Sequence, residues 1–201
     1  MTTDTSEKGL ESLIVTAMAG VAAPAPPVGG AAAGGVAAPS ALYGGTGWLL
    51  GDWRDYNREY CVDLTQLTIF LQGTQPKVAA ALGLSEDGPT RRKFLARLQG
   101  EISKRGTIDV LRHRLKHGPH QLDLFHGTPT PGNAAAAERY ARNRFSVTRQ
   151  LRYSRDQTAL ALDLCLFING LPVVTFELKN SLTKQTVADA VEQYQRDRDP
   201  R

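Results

Sequence analysis

Two apolar runs, residues 160–167 and 171–178, are separated by little more than Asn169-Gly170. Asn-Gly between apolar runs is the strongest short-range hairpin signal, so the two runs pair as antiparallel strands. A third run, residues 145–153, precedes them and extends the same sheet. Charge is scarce in these runs, but Asp163 begins one, and Glu177 and Lys179 close the next. An unpaired ion in apolar surroundings is costly. The three charges therefore mark either a metal site that cuts phosphodiester bonds or a solvent face carrying a Glu/Lys salt bridge.

Strand parity bears on that choice. Side chains alternate faces, so Glu177 and Lys179 share one. A two-residue loop at Asn169-Gly170 with no bulge would set Asp163 opposite Phe176, and no site would form. A three-residue loop, with a turn over Ile168-Asn169 and Gly170 at positive φ, sets Asp163 opposite Thr175. Asp163, Thr175, Glu177 and Lys179 then share a face, with the two carboxylates diagonal neighbours. The site reading predicts this odd-length loop with a glycine bulge. Cys165 reads as a small packing residue.

The rest of the chain predicts an α+β fold, a mixed β-sheet flanked by helices. Residues 6–18 form a helix capped by Ser6, with Leu10, Leu13, Ile14 and Ala17 on its inner face. Residues 19–47 are an Ala/Gly/Pro-rich segment that reads as a flexible insertion. Residues 48–201 are the remainder of the domain, in which Trp48, Trp53, Tyr56 and Tyr60 are packing groups. Asp63 caps a helix through Leu71 ended by Gly73, Pro76 opens a short helix to Leu82, and residues 90–104 are amphipathic. Residues 107–112 and 121–126 are candidate strands, and Asn133 caps an alanine-rich helix to Arg142. A last helix, residues 186–196, has Val187, Ala190, Val191 and Tyr194 on its inner side.

Bulk properties narrow the function without naming it. The net charge of +4 fits a polyanionic partner, and two cysteines make no disulfide framework, so a cytoplasmic location is expected. No run suits a membrane helix, because Pro24, Pro26 and Pro27 interrupt the apolar stretch near the N-terminus. Two carboxylates at the hairpin would suit a hard cation such as Mg²⁺, with the backbone carbonyl of Leu178 completing its coordination. Lys179 would position water or offset developing charge. Arg91, Arg92, Lys93 and Arg97 form a basic helix face, either solvated or in contact with phosphates. Arg149 and Arg152 point to opposite strand faces, so at most one can meet a substrate, and Arg149 is the candidate contact. His113 and His117 lack the companions of a zinc site.

Asp163 with Glu177-x-Lys179 resembles the PD-(D/E)xK nuclease core. The longer match is to the N-terminal nuclease domain of the type I restriction enzyme R subunit. Asn143-Arg144-Phe145-Ser146-Val147-Thr148-Arg149-Gln150 resembles its entering strand, and Phe167-Ile168-Asn169-Gly170-Leu171-Pro172 with Glu177-Leu178-Lys179-Asn180 resembles its central hairpin. Gln185-Thr186-Val187 and Gln193-Tyr194 are similar to the segment that follows, and upstream Thr74-Gln75-Pro76 and residues 104–112 resemble the family too. Outside the insertion, the resemblance covers nearly the whole chain.

The resemblance implies a restriction-endonuclease-like fold and Mg²⁺-dependent cleavage of double-stranded DNA, with sequence readout left to another subunit. It makes Asp163 and Glu177 metal ligands, Lys179 the catalytic lysine, Glu11 a further acid lining the site, and Gln193 a DNA contact. Where the family often has a tyrosine four residues after that glutamine, this chain has Asp197. Implied partners are DNA and the methyltransferase and specificity subunits of a restriction complex, with no membrane. ATP would enter only through helicase-like motor domains, whose Gly-x-x-x-x-Gly-Lys-Ser/Thr loop is absent from this sequence. The chain is therefore expected to be a fragment or truncated product, active only in the full complex. The alternatives are an inert DNA-binding or assembly module and a stand-alone repair nuclease of the same superfamily.

Overall fold

A computed structural model describes residues 6–20, 46–179 and 186–197. Most of the Ala/Gly/Pro-rich insertion lies outside the described residues, as does the side chain of Gln193. The described elements begin with α1 (Glu7–Ala19), β1 (Leu49–Leu50), a 3₁₀ turn (Trp53–Asp55), β2 (Tyr56–Asn57) and β3 (Val62–Asp63). Next come α2 (Leu64–Thr74), α3 (Pro76–Ala81), α4 (Pro89–Arg105), α5 (Thr107–Arg112), β4 (Leu115–His117) and β5 (His120–Leu122). The last are α6 (Ala134–Ala141), β6 (Phe145–Arg152), β7 (Ala161–Ile168), β8 (Leu171–Phe176), α7 (Val187–Glu192) and a π-helical turn (Gln193–Asp197).

The main sheet has four strands in the order β1-β6-β7-β8. β1 runs parallel to β6, and the other pairs are antiparallel, so the sheet is mixed. Two small hairpins, β2/β3 and β4/β5, accompany it, and the expected α+β architecture is what forms. The largest core lies among α2, α3, α4 and β4/β5, where Leu67, Phe70, Phe94, Leu98 and Leu122 are buried with Leu171 of β8.

The β7/β8 turn differs from expectation. Ile168 pairs directly with Leu171, so the loop has two residues. Asn169 at φ 52° and Gly170 at φ 83° both take positive φ, as a type I′ turn requires. The parity change comes from inside the strands instead. Phe167 pairs with Pro172 and Leu166 with Val174, leaving Val173 as an extra residue. Pro172 has no N–H to give the ladder, which makes its neighbourhood a natural place for a bulge.

Asn169 is wholly buried and ties the turn to its surroundings. Its Nδ2 donates to the Leu124 carbonyl at 2.9 Å and to Asn143 Oδ1 at 3.0 Å, while its Oδ1 accepts from the Arg144 N–H at 2.6 Å. Gly170 accepts from the Asp63 N–H at 2.8 Å, which joins the turn to the start of α2.

Three other expectations are corrected. Residues 107–112 are helical: Gly106 at φ 82° ends α4 and redirects the chain into α5, which buries the adjacent pair Val110 and Leu111. The strand expectation gives way to tertiary burial. The 121–126 strand is only the short β5, paired with an unforeseen β4 across Gly118 at φ 57°. The last helix does not turn its apolar residues inward, since Val187 is 81% and Val191 47% exposed. Tyr194 belongs to the π-helical turn rather than the core, and its hydroxyl bonds Thr175 Oγ1 at 3.0 Å.

Asp63 caps α2 as expected, its Oδ1 accepting from the Gln66 N–H at 2.9 Å. Its other oxygen is buried without a hydrogen bond. Burial pushes its carboxyl up to about 6. The folded value lies above the unfolded one, so this group favours folding most below about pH 4 and loses that contribution as pH rises through the folded value. Asp63→Asn keeps the capping oxygen and removes the charge. Between pH 4.5 and 7.5 the unfolding free energy of wild type, from urea titration, should fall relative to this variant by about 2 kcal/mol. Parallel midpoints across that range would contradict the assignment. Asp63→Ala, which loses the cap, should cost about 1 kcal/mol where the carboxyl is neutral.

Candidate functional site

The bulge brings Asp163 and Glu177 together more closely than predicted. Leu164 pairs with Phe176, and one further step of that register sets Asp163 directly opposite Glu177, not diagonal to it. Paired residues in an antiparallel ladder share a face. Chain continuing from β8 then folds onto Asp163, whose Oδ2 accepts from the Leu178 N–H at 2.7 Å. Lys179 Nζ lies 3.7 Å from Glu177 Oε1, with their side chains 18% and 6% exposed. The structure thus gathers Asp163, Glu177 and Lys179 at one end of β7/β8.

Glu11 joins them from the far end of the sequence. Ser6 caps α1, its Oγ accepting from the Gly9 N–H at 3.1 Å, and Gly20 closes the helix at φ 70°. The inner face is not the predicted one: Gly9, Glu11, Val15 and Ala19 are buried, while Leu10 is 41% and Leu13 56% exposed. A glutamate displaces leucine from the buried face because it finds partners there. Arg149 Nε pairs with Glu11 Oε1, and Gln150 Nε2 donates to Glu11 Oε2 at 2.8 Å. The same Gln150 amide lies 3.4 Å from Asp163 Oδ1.

Gln150 is the residue that sequence reasoning passed over. Its φ is 46°, in the interior of β6. The β6/β7 ladder pairs Arg149 with Leu164 and Leu151 with Leu162, and has no bridge at Gln150 opposite Asp163. Faces exchange across this point. Val147 and Leu164 pack with Val15 of α1, whereas Leu151 and Leu162 join Cys165 and Phe167 against Trp53 and Tyr56. A glutamine carries no sequence signal for left-handed backbone, so only the folded chain shows it.

Three carboxylates and two cations, Arg149 and Lys179, leave this cluster with a net negative charge. Its donors are all oxygens, the set that Mg²⁺ prefers, and that ion commonly takes only one or two carboxylates with water and phosphate completing its shell. Asp163 and Glu177 fit such a two-acid site. Among the described residues, no group of three or more His, Cys, Asp and Glu side chains is assembled to hold a metal. The Gln150 amide lies between Glu11 and Asp163.

Other candidates have local roles. Arg91 and Arg92 both pair with Asp87, whose carboxyl the guanidinium of Arg92 holds down at about 2, and Arg97 pairs with Glu101. Three of the four cations on that face thus have acidic neighbours of their own. Arg152 stacks on Trp53 at 5.1 Å, opposite in role to Arg149. His113 bonds Asp109 and His117 packs edge-on against Phe94, so they form no shared site. Burial pushes the Cys165 thiol up to about 12, consistent with packing rather than nucleophilic chemistry. Surface clefts of about 440 and 480 Å³ open around Arg54 and Tyr56, not at the carboxylates.

No helix among the described residues is long and apolar enough to cross a membrane. No curated protein and no solved structure matches the chain. The upstream resemblance around residues 74–76 and 104–112, and Glu11 itself, lie outside the family match. That match covers residues 130–201, which contain Asp163, Glu177, Lys179 and Gln193, and the family is the type I restriction enzyme R protein N terminus.

Proposed function

We propose that this chain supplies the endonuclease site of a type I restriction enzyme R subunit, hydrolysing double-stranded DNA with Mg²⁺. The observation that carries the reading is the bulge-shifted hairpin, which sets Asp163 opposite Glu177 with Lys179 beside it. Asp163 and Glu177 would hold the ion, with the Leu178 carbonyl as a further ligand. Mg²⁺ bound there would stabilise charge on the phosphate and acidify a water. The Lys179 ammonium would orient that water or offset charge developing on the phosphate. Gln193 would contact DNA, and Arg149 would hold Glu11 at the edge of the site. Sequence choice, methylation and ATP-driven translocation would come from partner subunits and motor domains.

A second reading, an inert DNA-binding or assembly module, is favoured by the lack of a three-acid cluster among the described residues. A supercoiled plasmid separates the two. With methyltransferase, specificity and motor components and ATP present, the nuclease reading expects strand scission that requires Mg²⁺ and stops in EDTA. DNA binding with a steep salt dependence but no scission in any arm would establish the inert module instead.

A further inference from the structure

Gln150 sits between Glu11 and Asp163 in a backbone conformation that its side chain does not explain. Among the described residues, only Cys61, Gln150 and Asn169 are non-glycine residues with positive φ. Asn169 occupies a turn that needs it. Gln150, at φ 46°, lies inside an eight-residue strand, where an extended backbone would be cheaper. Backbone held in such a region persists only where surrounding structure enforces it, and it clusters at functional sites.

The left-handed step has a visible consequence. In regular alternation Arg149 and Gln150 would point to opposite faces. Here both reach Glu11, Arg149 through Nε and Gln150 through Nε2 at 2.8 Å. The Gln150 amide nitrogen has two hydrogens to give. Its second neighbour is Asp163 Oδ1 at 3.4 Å. A neutral donor thus separates two carboxylates without cancelling their charge, which a lysine or arginine there would do.

We infer that Gln150 is a positioning residue that holds Glu11 and Asp163 at one edge of the metal site through its side-chain amide. The inference rests on the nuclease reading of Asp163 and Glu177. Supporting groups of this kind typically alter metal affinity about ten- to a hundredfold when removed.

The test is Mn²⁺ binding by titration calorimetry, with thermal unfolding in the absence of metal measured alongside. The proteins are wild type, Gln150→Gly, Gln150→Asn and Asp163→Ala. Glycine and asparagine both tolerate the left-handed backbone, but neither carries an amide as far as Glu11. Both variants should stay folded and bind Mn²⁺ at least tenfold more weakly than wild type. Wild-type affinity in both, with binding abolished in Asp163→Ala, would overturn the role of Gln150 and leave the nuclease reading standing. Unfolding of both variants would make the residue purely structural and overturn it as well. No Mn²⁺ binding by wild type would remove the nuclease reading and this inference together.

Discussion

Gly170→Ala is expected to destabilise the fold by several kcal/mol. A Cβ at Gly170 would lie 2.4 Å from the Asp63 carbonyl, 2.6 Å from the Leu67 nitrogen and 2.8 Å from Leu67 Cβ. Two of those atoms are backbone, and neither can swing away as a side chain would. Asp63 ends β3 and caps α2, and its own N–H is bonded to the Gly170 carbonyl, so separating the turn from the helix breaks that bond too. The residue also sits at φ 83°, where alanine is strained by about 1–2 kcal/mol. Overpacking against rigid neighbours adds roughly 1–3 kcal/mol. The sum is a large part of the 5–15 kcal/mol that holds a typical domain together. Urea unfolding followed by circular dichroism checks this, with Gly73→Ala as the control. Nothing lies within 4 Å of a Cβ at Gly73, which is inside α2, so that change should stabilise by about 0.5–1 kcal/mol. A wild-type midpoint for Gly170→Ala would show that the turn is not seated on α2.

The same turn shows what was legible from residues and what was not. Asn169-Gly170 marks a hairpin from sequence alone, and Asp63, Pro76 and Asn133 start helices where their chemistry predicts. Those signals are local. The register of β7 against β8 is not, because it depends on one unpaired residue, Val173, that no short pattern identifies beyond the adjacent proline. The face-sharing of Asp163 and Glu177 was therefore anticipated for the wrong reason, a longer loop rather than a bulge. The inner face of α1 was missed for a related cause. Periodicity favours its leucines, and only the long-range partners Arg149 and Gln150 make Glu11 the buried choice. α5 fails on a third count, since its six residues are too few for a helical period to show.

On the proposed nuclease reading, charge-removing substitution at the hairpin should sharply lower DNA scission while leaving the chain folded. On that reading, Asp163 has two duties that can be separated. Its Oδ2 receives the Leu178 N–H at 2.7 Å, which fixes the chain leaving β8. Asp163→Asn keeps an acceptor oxygen for that bond but removes the negative charge a cation needs. Lys179→Ala leaves both carboxylates in place and removes the ammonium that lies 3.7 Å from Glu177. In the assembled restriction complex each change should lower scission by on the order of 10²–10³-fold, the usual effect of losing one preorganised electrostatic group. Unfolding midpoints should stay close to wild type. Metal affinity distinguishes the two roles: Asp163→Asn should weaken Mn²⁺ binding, whereas Lys179→Ala should preserve or strengthen it, because a positive charge beside the site has gone. Wild-type scission by either variant would remove these residues from the chemistry. Loss of scission with a matching loss of stability would place Asp163 in the fold alone, as the anchor of Leu178. If Lys179→Ala instead weakened Mn²⁺ binding as much as Asp163→Asn does, the lysine would be acting by holding Glu177 in place rather than on the phosphate.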